Sequence, residues 1–311
     1  MLKTVAELYR ITPGKLIRLT GGDKNIVYKI KDRDLVIRIY QPTAPLDGIA
    51  FEHAFMDVLS GDMDQVVKPL YYKPEKSFFM WDGRPVAVLP YIHGKTPGQK
   101  DCEDTAFCYA AGHMLGRIHR LGTENIYRLP ELRSRIPIAQ MEPFDNYLFD
   151  WEKGCAWLSE TELSPEIPYM KNQLEELYVY IKEQTHIPFI PIHGDYYRGN
   201  LLWDGKNITG IIDFDDARME WAEFEVARSL WEFAGNNARV VMDEACQEAY
   251  LAGYSAANPA VRHEMGLYRK IMKLVRLLEI VSTAASMVTG DLLGDWDRDY
   301  HWRNLLWCKK L

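Results

Sequence analysis

Short apolar runs alternate with polar turns over the first 90 residues of the chain. The runs at residues 15–19, 25–30 and 35–40 are separated by a glycine-containing turn at 20–24 and a charged turn at 31–34. Runs of this length between turn residues are typical of β-strands, and such short turns join antiparallel neighbours. The pattern therefore predicts an antiparallel meander at the start of the chain.

One helix interrupts this strand-rich region. Residues 46–59 place Phe51 and Phe55 at helical spacing, and Gly61 follows as a stop signal. Further apolar runs predict strands at 66–72, 78–81 and 84–89. We therefore expect an antiparallel sheet with one packed helix in this part of the chain.

After Pro97 and Gly98 the apolar residues recur at helical spacing instead. The helices predicted from this spacing cover residues 102–121, 164–185, 222–235, 239–253 and 261–289. Residues 122–163 are interrupted by prolines and predict irregular structure or short helices, whereas 190–216 returns to strand-like runs.

The length of the chain and this change of pattern predict two lobes. A chain of 311 residues is long enough for one large or two medium domains. We predict an α+β fold in which residues 1–92 form a small lobe with the antiparallel sheet and one helix. Residues 93–311 are predicted to form a larger, mainly helical lobe.

Charge and cysteine content exclude several classes of protein. The net charge of -7 argues against nucleic acid as a partner, because such binding depends on clustered Lys and Arg. The five cysteines form no C-x-x-C pair, which argues against a zinc site or a disulfide framework. No segment offers about 18 uncharged apolar residues, and Glu7 interrupts the first apolar stretch. We therefore expect a cytoplasmic protein without a membrane partner.

Acidic and amide side chains cluster in the interruption at 190–216. Asp195 is followed by Asn200, and Asp213 and Asp215 come directly after an apolar run. A single Asp or Asn in a loop is more often a turn residue than a ligand. The combination is more specific than any one of these residues, because several oxygen-bearing side chains lie around one predicted hairpin.

The hairpin brings two of these side chains together. Residues 201–203 and 208–212 flank the turn sequence Asp-Gly-Lys-Asn, and symmetric pairing about this turn places Asn200 opposite Ile211. Asn200 and Asp213 would then face one cation, and Mg²⁺ prefers such oxygen ligands. Asp195, in the preceding loop, would lie where a hydroxyl could meet a metal-bound phosphate.

His193-Gly194-Asp195 with Asn200, followed by Asp213-Phe214-Asp215, resembles the signature of the aminoglycoside phosphotransferase, choline kinase and type II homoserine kinase superfamily. The resemblance implies a two-lobed, protein-kinase-like fold with ATP and Mg²⁺ as cofactors and a nucleotide-binding N-terminal lobe. It also implies that Asp195 is the catalytic base, that Asn200, Asp213 and Asp215 bind the metal, and that His193 braces the loop.

The N-terminal lobe contains candidate phosphate-binding residues. Gly21, Gly22 and Lys24 lie in a turn whose backbone N–H groups could face phosphates, although an ordinary hairpin turn has the same composition. Arg38 interrupts an apolar strand, and Glu52 on the following helix is its expected partner. This pair would match the kinase lysine and helix glutamate that grip the phosphates. The alternative is that Arg38 faces solvent on an edge strand.

The segment containing Leu89 and Tyr91 resembles the hinge whose main chain binds adenine in kinases. The resemblance therefore implies an ATP- and Mg²⁺-dependent kinase that phosphorylates a hydroxyl of a small molecule. An amino alcohol, a choline-like or homoserine-like compound and an aminoglycoside are the candidate acceptors. A protein Ser/Thr kinase and an inactive ATP-binding module are the alternatives. Aromatic residues of the C-terminal lobe and Glu220 could hold a cationic amine, but aromatic rings more often pack in a core.

Overall fold

The computed structural model describes residues 1–12, 14–19, 25–98, 103–144, 150–236, 240–289 and 297–311. These residues belong to two compact units. Unit 1 contains Met1–Gly98, Arg120–Arg135 and His193–Arg218, and unit 2 contains Gln99–His119, Ile136–Ile192 and Met219–Leu311. Because both units are discontinuous along the chain, the division between residues 92 and 93 remains a proposal for where the first lobe ends.

Unit 1 is built on an antiparallel sheet of five strands in the order β1-β2-β3-β5-β4. The strands are β1 Leu16–Arg18, β2 Ile26–Ile30, β3 Leu35–Ile39, β4 Phe78–Trp81 and β5 Arg84–Pro90. Helix α1 covers Leu2–Tyr9, and helix α2 covers Leu46–Ser60. Alternate residues of the strands form a core in which Ile30, Ile37 and Val88 are fully buried.

The strands predicted at 15–19, 25–30, 35–40, 78–81 and 84–89 are thus confirmed, with small differences at their ends. The strand predicted at 66–72 is wrong, because this segment is irregular. Pro69 lacks an N–H group and therefore cannot take part in a regular ladder. The segment still touches the sheet, since the N–H of Leu70 donates to the carbonyl of Val88 over 3.0 Å. Helix α1 was not predicted.

Unit 1 also carries a two-stranded sheet, formed by β7 Leu201–Trp203 and β8 Ile208–Ile211. A 3₁₀ turn at Arg198–Asn200 leads into β7, and β7 pairs antiparallel with β8. Strands β6 Phe189–Ile192 and β9 Arg218–Trp221 form another two-stranded sheet, which belongs to unit 2 except for Arg218. The predicted return to strand-like structure after residue 190 is confirmed.

Unit 2 is mainly helical. Its helices include α3 Thr105–Glu124, α4 Trp151–Leu158, α5 Ile167–Lys182, α6 Ala222–Ala234, α7 Glu244–Ala257, α8 Met265–Thr289 and α9 Arg298–Lys310. The last residues of α3 cluster with unit 1. The long helix α8 packs against α4, α5, α6 and α9. The predicted α+β class, with a small antiparallel sheet and a mainly helical remainder, is confirmed.

Close helix packing in unit 2 depends on two glycines of α3. A Cβ atom on Gly112 would lie 1.9 Å from the carbonyl oxygen of Tyr250, and one on Gly116 would lie 2.6 Å from that of Tyr254. Next to this contact, buried His119 bonds the Tyr254 hydroxyl over 2.7 Å and Glu225 over 2.9 Å. Gly116 and His119 therefore stabilise the packing of α3 in unit 2. No helix within the described residues is long and apolar enough to cross a membrane.

Candidate active site

A cavity of about 520 Å³ lies within unit 1, and this volume is typical of small-molecule sites. Its apolar walls come from the sheet and from the β7–β8 hairpin, including Val27, Val36, Leu89, Leu202 and Ile211. Its polar end is formed by Arg38, Asp195, Asn200, Asp213 and Asp215. The residues predicted from one acidic segment and from one strand of the sheet therefore meet at the same cavity.

His193 holds the loop that carries Asp195. Its Nδ1 atom accepts a hydrogen bond from the Asp195 N–H over 3.3 Å, so the proton lies on Nε2. The Nε2 atom lies 3.0 Å from the carbonyl oxygen of Ile212 and donates to it. The ring also packs against Phe214 with 4.2 Å between centroids. His193 thus ties the loop to the end of β8, as the resemblance implied.

The register of the β7–β8 hairpin differs from the prediction by one residue. Next to the turn, Trp203 pairs with Ile208, as symmetric pairing requires. Farther from the turn Leu201, rather than Asn200, pairs with Ile211, because the ladder contains an irregularity between these two pairs. The predicted pairing of Asn200 with Ile211 is therefore wrong, although Asn200 remains at the start of β7.

Asn200 is held with its amide oxygen available. Its Nδ2 atom donates to the carbonyl oxygen of Asp195 over 2.9 Å and to Oδ2 of the same residue over 3.1 Å. Its own carbonyl accepts from the N–H of Ile212 over 3.0 Å. Asp213 follows with a positive φ of 68°, and its side chain is 40% exposed. An amide oxygen and a carboxylate thus border the polar end of the cavity, and they are suitable ligands for Mg²⁺.

Arg38 connects three carboxylates. Its guanidinium lies 3.2 Å from Glu52, 2.6 Å from Asp213 and 3.1 Å from Asp215. Arg38 lies on β3, the central strand of the sheet, and is only 9% exposed. The predicted partnership with Glu52 is confirmed, and the alternative of a solvent-facing residue on an edge strand is wrong. Asn25, which the sequence did not indicate, donates to Asp215 over 2.8 Å.

Burial raises the pKa of two carboxyl groups beside Arg38, those of Asp215 and Glu52. Burial raises the pKa of Asp215 to about 7, although the Arg38 charge acts in the opposite direction. Burial also raises the pKa of Glu52, and Arg38 again opposes the increase. The charge on Arg38 therefore stabilises the ionised forms of side chains that burial alone would protonate.

A series of buried hydrogen bonds through Tyr40, His53 and Ser77 holds Glu52 in place. The Tyr40 hydroxyl donates to Oε2 of Glu52 over 3.1 Å. His53 Nε2 lies 3.0 Å from the same hydroxyl, and His53 Nδ1 lies 2.7 Å from the hydroxyl of Ser77. Because the Tyr40 hydroxyl donates its hydrogen bond to Glu52, its oxygen accepts from Nε2–H of His53. Nδ1 of His53 then accepts from the Ser77 hydroxyl. The sequence analysis did not predict these hydrogen bonds, because their only sign in the sequence is the presence of polar residues within apolar runs.

Protonation of His53 is expected to destabilise the fold. Burial lowers the pKa of His53 to about 3, whereas an unfolded histidine titrates near 6.5. The unfolded chain therefore binds a proton between these values and the native protein does not. The free energy of unfolding should fall as the pH is lowered from about 6.5 to 3, by up to about 1.4 kcal/mol per pH unit for this group.

Denaturant unfolding across this pH range measures the effect. In His53→Gln the unfolding free energy should depend less steeply on pH than in the wild type. The difference corresponds to the uptake of about one proton on unfolding. The matched control is His186→Gln, since His186 is exposed. An unchanged slope in His53→Gln would show that His53 is not kept neutral by the fold.

The remaining predicted cofactor-binding residues have different outcomes. Leu89 and Tyr91 line the cavity, and the Tyr91 ring also contacts the Lys29 ammonium at 3.6 Å. Gly21, Gly22 and Lys24 lie outside the described residues. Their predicted contact with phosphates remains a prediction.

Comparison with known proteins is consistent with this geometry. A profile of the phosphotransferase enzyme family, APH, matches residues 15–265. The chain is also similar to the homoserine kinase of Pseudomonas aeruginosa strain UCBPP-PA14. The two are 23% identical over 260 residues, which cover 81% of this chain and 74% of that protein.

Two solved structures share the fold. Amicoumacin kinase hAmiN in complex with AMP-PNP, Ca²⁺ and Ami aligns with a TM-score of 0.71 and 16% identity, covering 99% of this chain and 91% of that chain. The GDP and kanamycin complex of APH(2")-IIia aligns with a TM-score of 0.63 and 15% identity, covering 99% and 96%. The predicted kinase-like fold is confirmed by these likenesses.

Proposed function

Since the chain belongs to the phosphotransferase enzyme family, we propose that it uses ATP with Mg²⁺ to phosphorylate a hydroxyl of an amine-bearing small molecule. The chain is a kinase that transfers a phosphoryl group to a hydroxyl. The observation that carries the finer proposal is the convergence of Asp195, Asn200, Asp213 and Arg38 at one end of a nucleotide-sized cavity.

In this proposal Asp195 acts on the acceptor. Its carboxylate orients the acceptor hydroxyl and takes its proton as the new oxygen–phosphorus bond forms. The bond between the γ-phosphorus and the bridging oxygen breaks at the same time, and ADP leaves with that oxygen. His193 and Asn200 position the carboxylate through the hydrogen bonds to the loop.

The side chains present fit a magnesium ion. Asn200 offers an amide oxygen, and Asp213 and Asp215 offer carboxylates, which are hard oxygen donors. When bound, Mg²⁺ would neutralise the phosphate oxygens of ATP. Arg38 would then contact phosphate while Glu52 keeps it in place, because a guanidinium can bond a carboxylate and a phosphate together.

Removal of the metal should weaken nucleotide binding. We expect chelation, or the double variant Asn200→Ala and Asp213→Ala, to lower ATP affinity by roughly 10- to 100-fold in calorimetry. The matched control is Asn207→Ala with Asp64→Ala, which makes the same changes at exposed positions. Undiminished ATP affinity after both chelation and the double substitution would contradict the metal assignment.

An amine-bearing acceptor is proposed from the similarity to a homoserine kinase and from the negative net charge of the chain. Glu220 is not the expected amine ligand, because it is buried and accepts from the N–H groups of Ile138 and Trp221. The Trp231 ring packs on Trp307 with 4.1 Å between centroids, which is core packing. Tyr197 does line the cavity. Glu220 and Trp231 are therefore structural residues, whereas Tyr197 remains a candidate for contact with the acceptor.

Incubation with labelled ATP tests the function. The acceptors are an amino alcohol, homoserine, choline, an aminoglycoside, a neutral sugar and casein, with ATP alone as the blank. We expect the amine-bearing alcohols to be phosphorylated fastest. Turnover of only neutral acceptors would contradict the amine proposal, and transfer to casein alone would favour the protein-kinase alternative.

The compartment and the absence of a nucleic-acid partner remain predictions. Among the described residues, the cysteines at 108, 155, 246 and 308 form no disulfide, and disulfides are rare in reducing compartments. The cytoplasm therefore remains our proposed location. We also retain the proposal that neither nucleic acid nor membrane is a partner, since the net charge is negative.

A further inference from the structure

Residues 133–135 form a loop, which we call the anchor loop, that holds the start of helix α2. Asp47 lies in the first turn of α2, and its Oδ2 atom accepts from the N–H groups of Arg133 and Ser134, each over 2.9 Å. Its Oδ1 atom accepts from the N–H of Gly48 over 2.9 Å. Burial alone would raise the pKa of Asp47, but these hydrogen bonds lower it, so Asp47 is ionised at neutral pH. One carboxylate therefore fixes the anchor loop at the N-terminal end of α2.

Arg135, the last residue of the anchor loop, extends this contact to the segment after Asp213. Its Nη1 atom donates to the carbonyl of Ala217 over 2.8 Å. The N–H of Ala217 in turn donates to the carbonyl of Phe214 over 2.9 Å, which closes a turn directly after Asp213. The guanidinium of Arg135 lies beside Gly48, since a Cβ atom there would be 3.4 Å from Nη2 and 3.5 Å from Cζ. The absence of a side chain at Gly48 therefore lets one guanidinium contact both α2 and the turn.

The two elements that the anchor loop joins carry the carboxylates around Arg38. Glu52 belongs to α2 and lies 3.2 Å from the guanidinium of Arg38. Asp213 directly precedes the turn and lies 2.6 Å from the same guanidinium. The elements also pack on each other, because the rings of Phe55 and Phe214 meet edge to face with 6.0 Å between centroids. A displacement of the turn relative to α2 would therefore change the geometry around Arg38.

The charge of Arg135 also acts on Glu52. Burial raises the pKa of Glu52, and the charges of Arg38 and Arg135 both oppose this increase. Among the residues that the structure describes, no carboxylate forms an ion pair with Arg135, so no closer partner neutralises its charge. Arg135 therefore favours the ionised form of Glu52, which is the form that holds Arg38.

We infer that Arg135 and Asp47 are positioning residues for phosphoryl transfer, an inference that rests on the proposed function. Through the anchor loop they keep Glu52 and Asp213 at the separation that one Arg38 guanidinium bridges. Catalysis depends on such fixed geometry, because a displacement of about 1 Å can cost roughly 100-fold in rate. If the anchor loop only stabilised unit 1, its loss would lower the free energy of unfolding and leave the rate of the folded molecules unchanged.

Steady-state kinetics of the full chain, with ATP, Mg²⁺ and the fastest acceptor of the panel, separate these roles. We expect Arg135→Met to lower turnover by about 10- to 100-fold and to raise the Mg²⁺ concentration that gives half-maximal rate, because the turn after Asp213 loses its anchor. Arg135→Lys retains a donor for the carbonyl of Ala217 and should recover part of the turnover. The matched control is Arg128→Met, since Arg128 is exposed in the same unit. Its turnover should stay within about twofold of the wild type.

A double-mutant cycle tests whether the two residues act together. Asp47→Asn removes the charge and one of the two acceptor oxygens, and the matched control is Asp64→Asn at an exposed position. In the combined Asp47→Asn and Arg135→Lys variant, turnover should fall by less than the product of the two single losses. Losses that multiply would overturn the shared role, and the cycle takes the place of Arg135→Met should that variant fail to fold.

Two further results would overturn the inference. In the first, Arg135→Met lowers the free energy of unfolding but keeps the turnover and the Mg²⁺ dependence of the wild type, which leaves the proposed function intact. In the second, the wild-type chain neither hydrolyses ATP nor phosphorylates any acceptor, which overturns the proposed function as well.

Discussion

Replacing Asp195 with Asn is expected to lower turnover by roughly 10²- to 10⁴-fold and to leave the affinity for Mg²⁺-ATP within a few fold. The substitution preserves size and one oxygen acceptor for Asn200, which now bonds Oδ2 of Asp195. It removes the charge that accepts a proton. The loss should therefore appear in the chemical step, with a barrier higher by about 3 to 5 kcal/mol.

Steady-state rates at saturating ATP, combined with calorimetry, separate the two effects. The matched control is Asp204→Asn, because Asp204 is exposed and Asn can also accept from the N–H groups of Lys206 and Asn207 at the hairpin turn. Near wild-type turnover in Asp195→Asn would show that another group is the base. Loss of ATP binding together with activity would instead make Asp195 a metal or structural residue.

Much of unit 1 could be predicted from the sequence because its signals are local. The strands of the first sheet are short apolar runs bounded by turns, and most of the candidate catalytic side chains lie within one segment. The pairing of Arg38 with Glu52 was also predictable, since a charge within an apolar strand requires a partner.

Other features depend on contacts that no local pattern encodes. The one-residue shift between Leu201 and Ile211 arises from an irregularity inside the hairpin, which turn composition does not reveal. Gly194 adopts a positive φ of 88°, and a Cβ atom there would lie 2.0 Å from the carbonyl oxygen of Asp216. The requirement for glycine at this position therefore depends on a residue that is distant in the sequence. The contact of Arg38 with Asp213 likewise joins the sheet to the catalytic segment.

The hinge shows the same limit at the level of single atoms. Leu89 and Tyr91 were predicted to bind the base, and both do line the cavity. Which main-chain groups of this segment are already bonded depends on the pairing of β5 with β3, because only the register shows that the N–H of Tyr91 donates to the carbonyl of Asp34.

Replacing Arg38 with Met is expected to impair both the fold and nucleotide binding. Glu52 is 1% exposed, and without the guanidinium its buried carboxylate loses its charged partner. Removing one member of a buried ion pair typically costs about 3 to 5 kcal/mol of unfolding free energy. Arg38→Lys should retain part of the function, since one ammonium keeps the charge but cannot reproduce the two-nitrogen contact with Glu52 and Asp213.

A double variant separates the two roles of Arg38. Arg38→Met with Glu52→Gln removes the unpaired charge, so denaturant unfolding should show that part of the lost stability returns. The Michaelis constant for ATP should remain raised, because the phosphates still lack their guanidinium partner. Recovery of ATP binding together with stability in the double variant would assign Arg38 to the fold alone. The same assignment would follow if Arg38→Met left the Michaelis constant for ATP and the turnover unchanged.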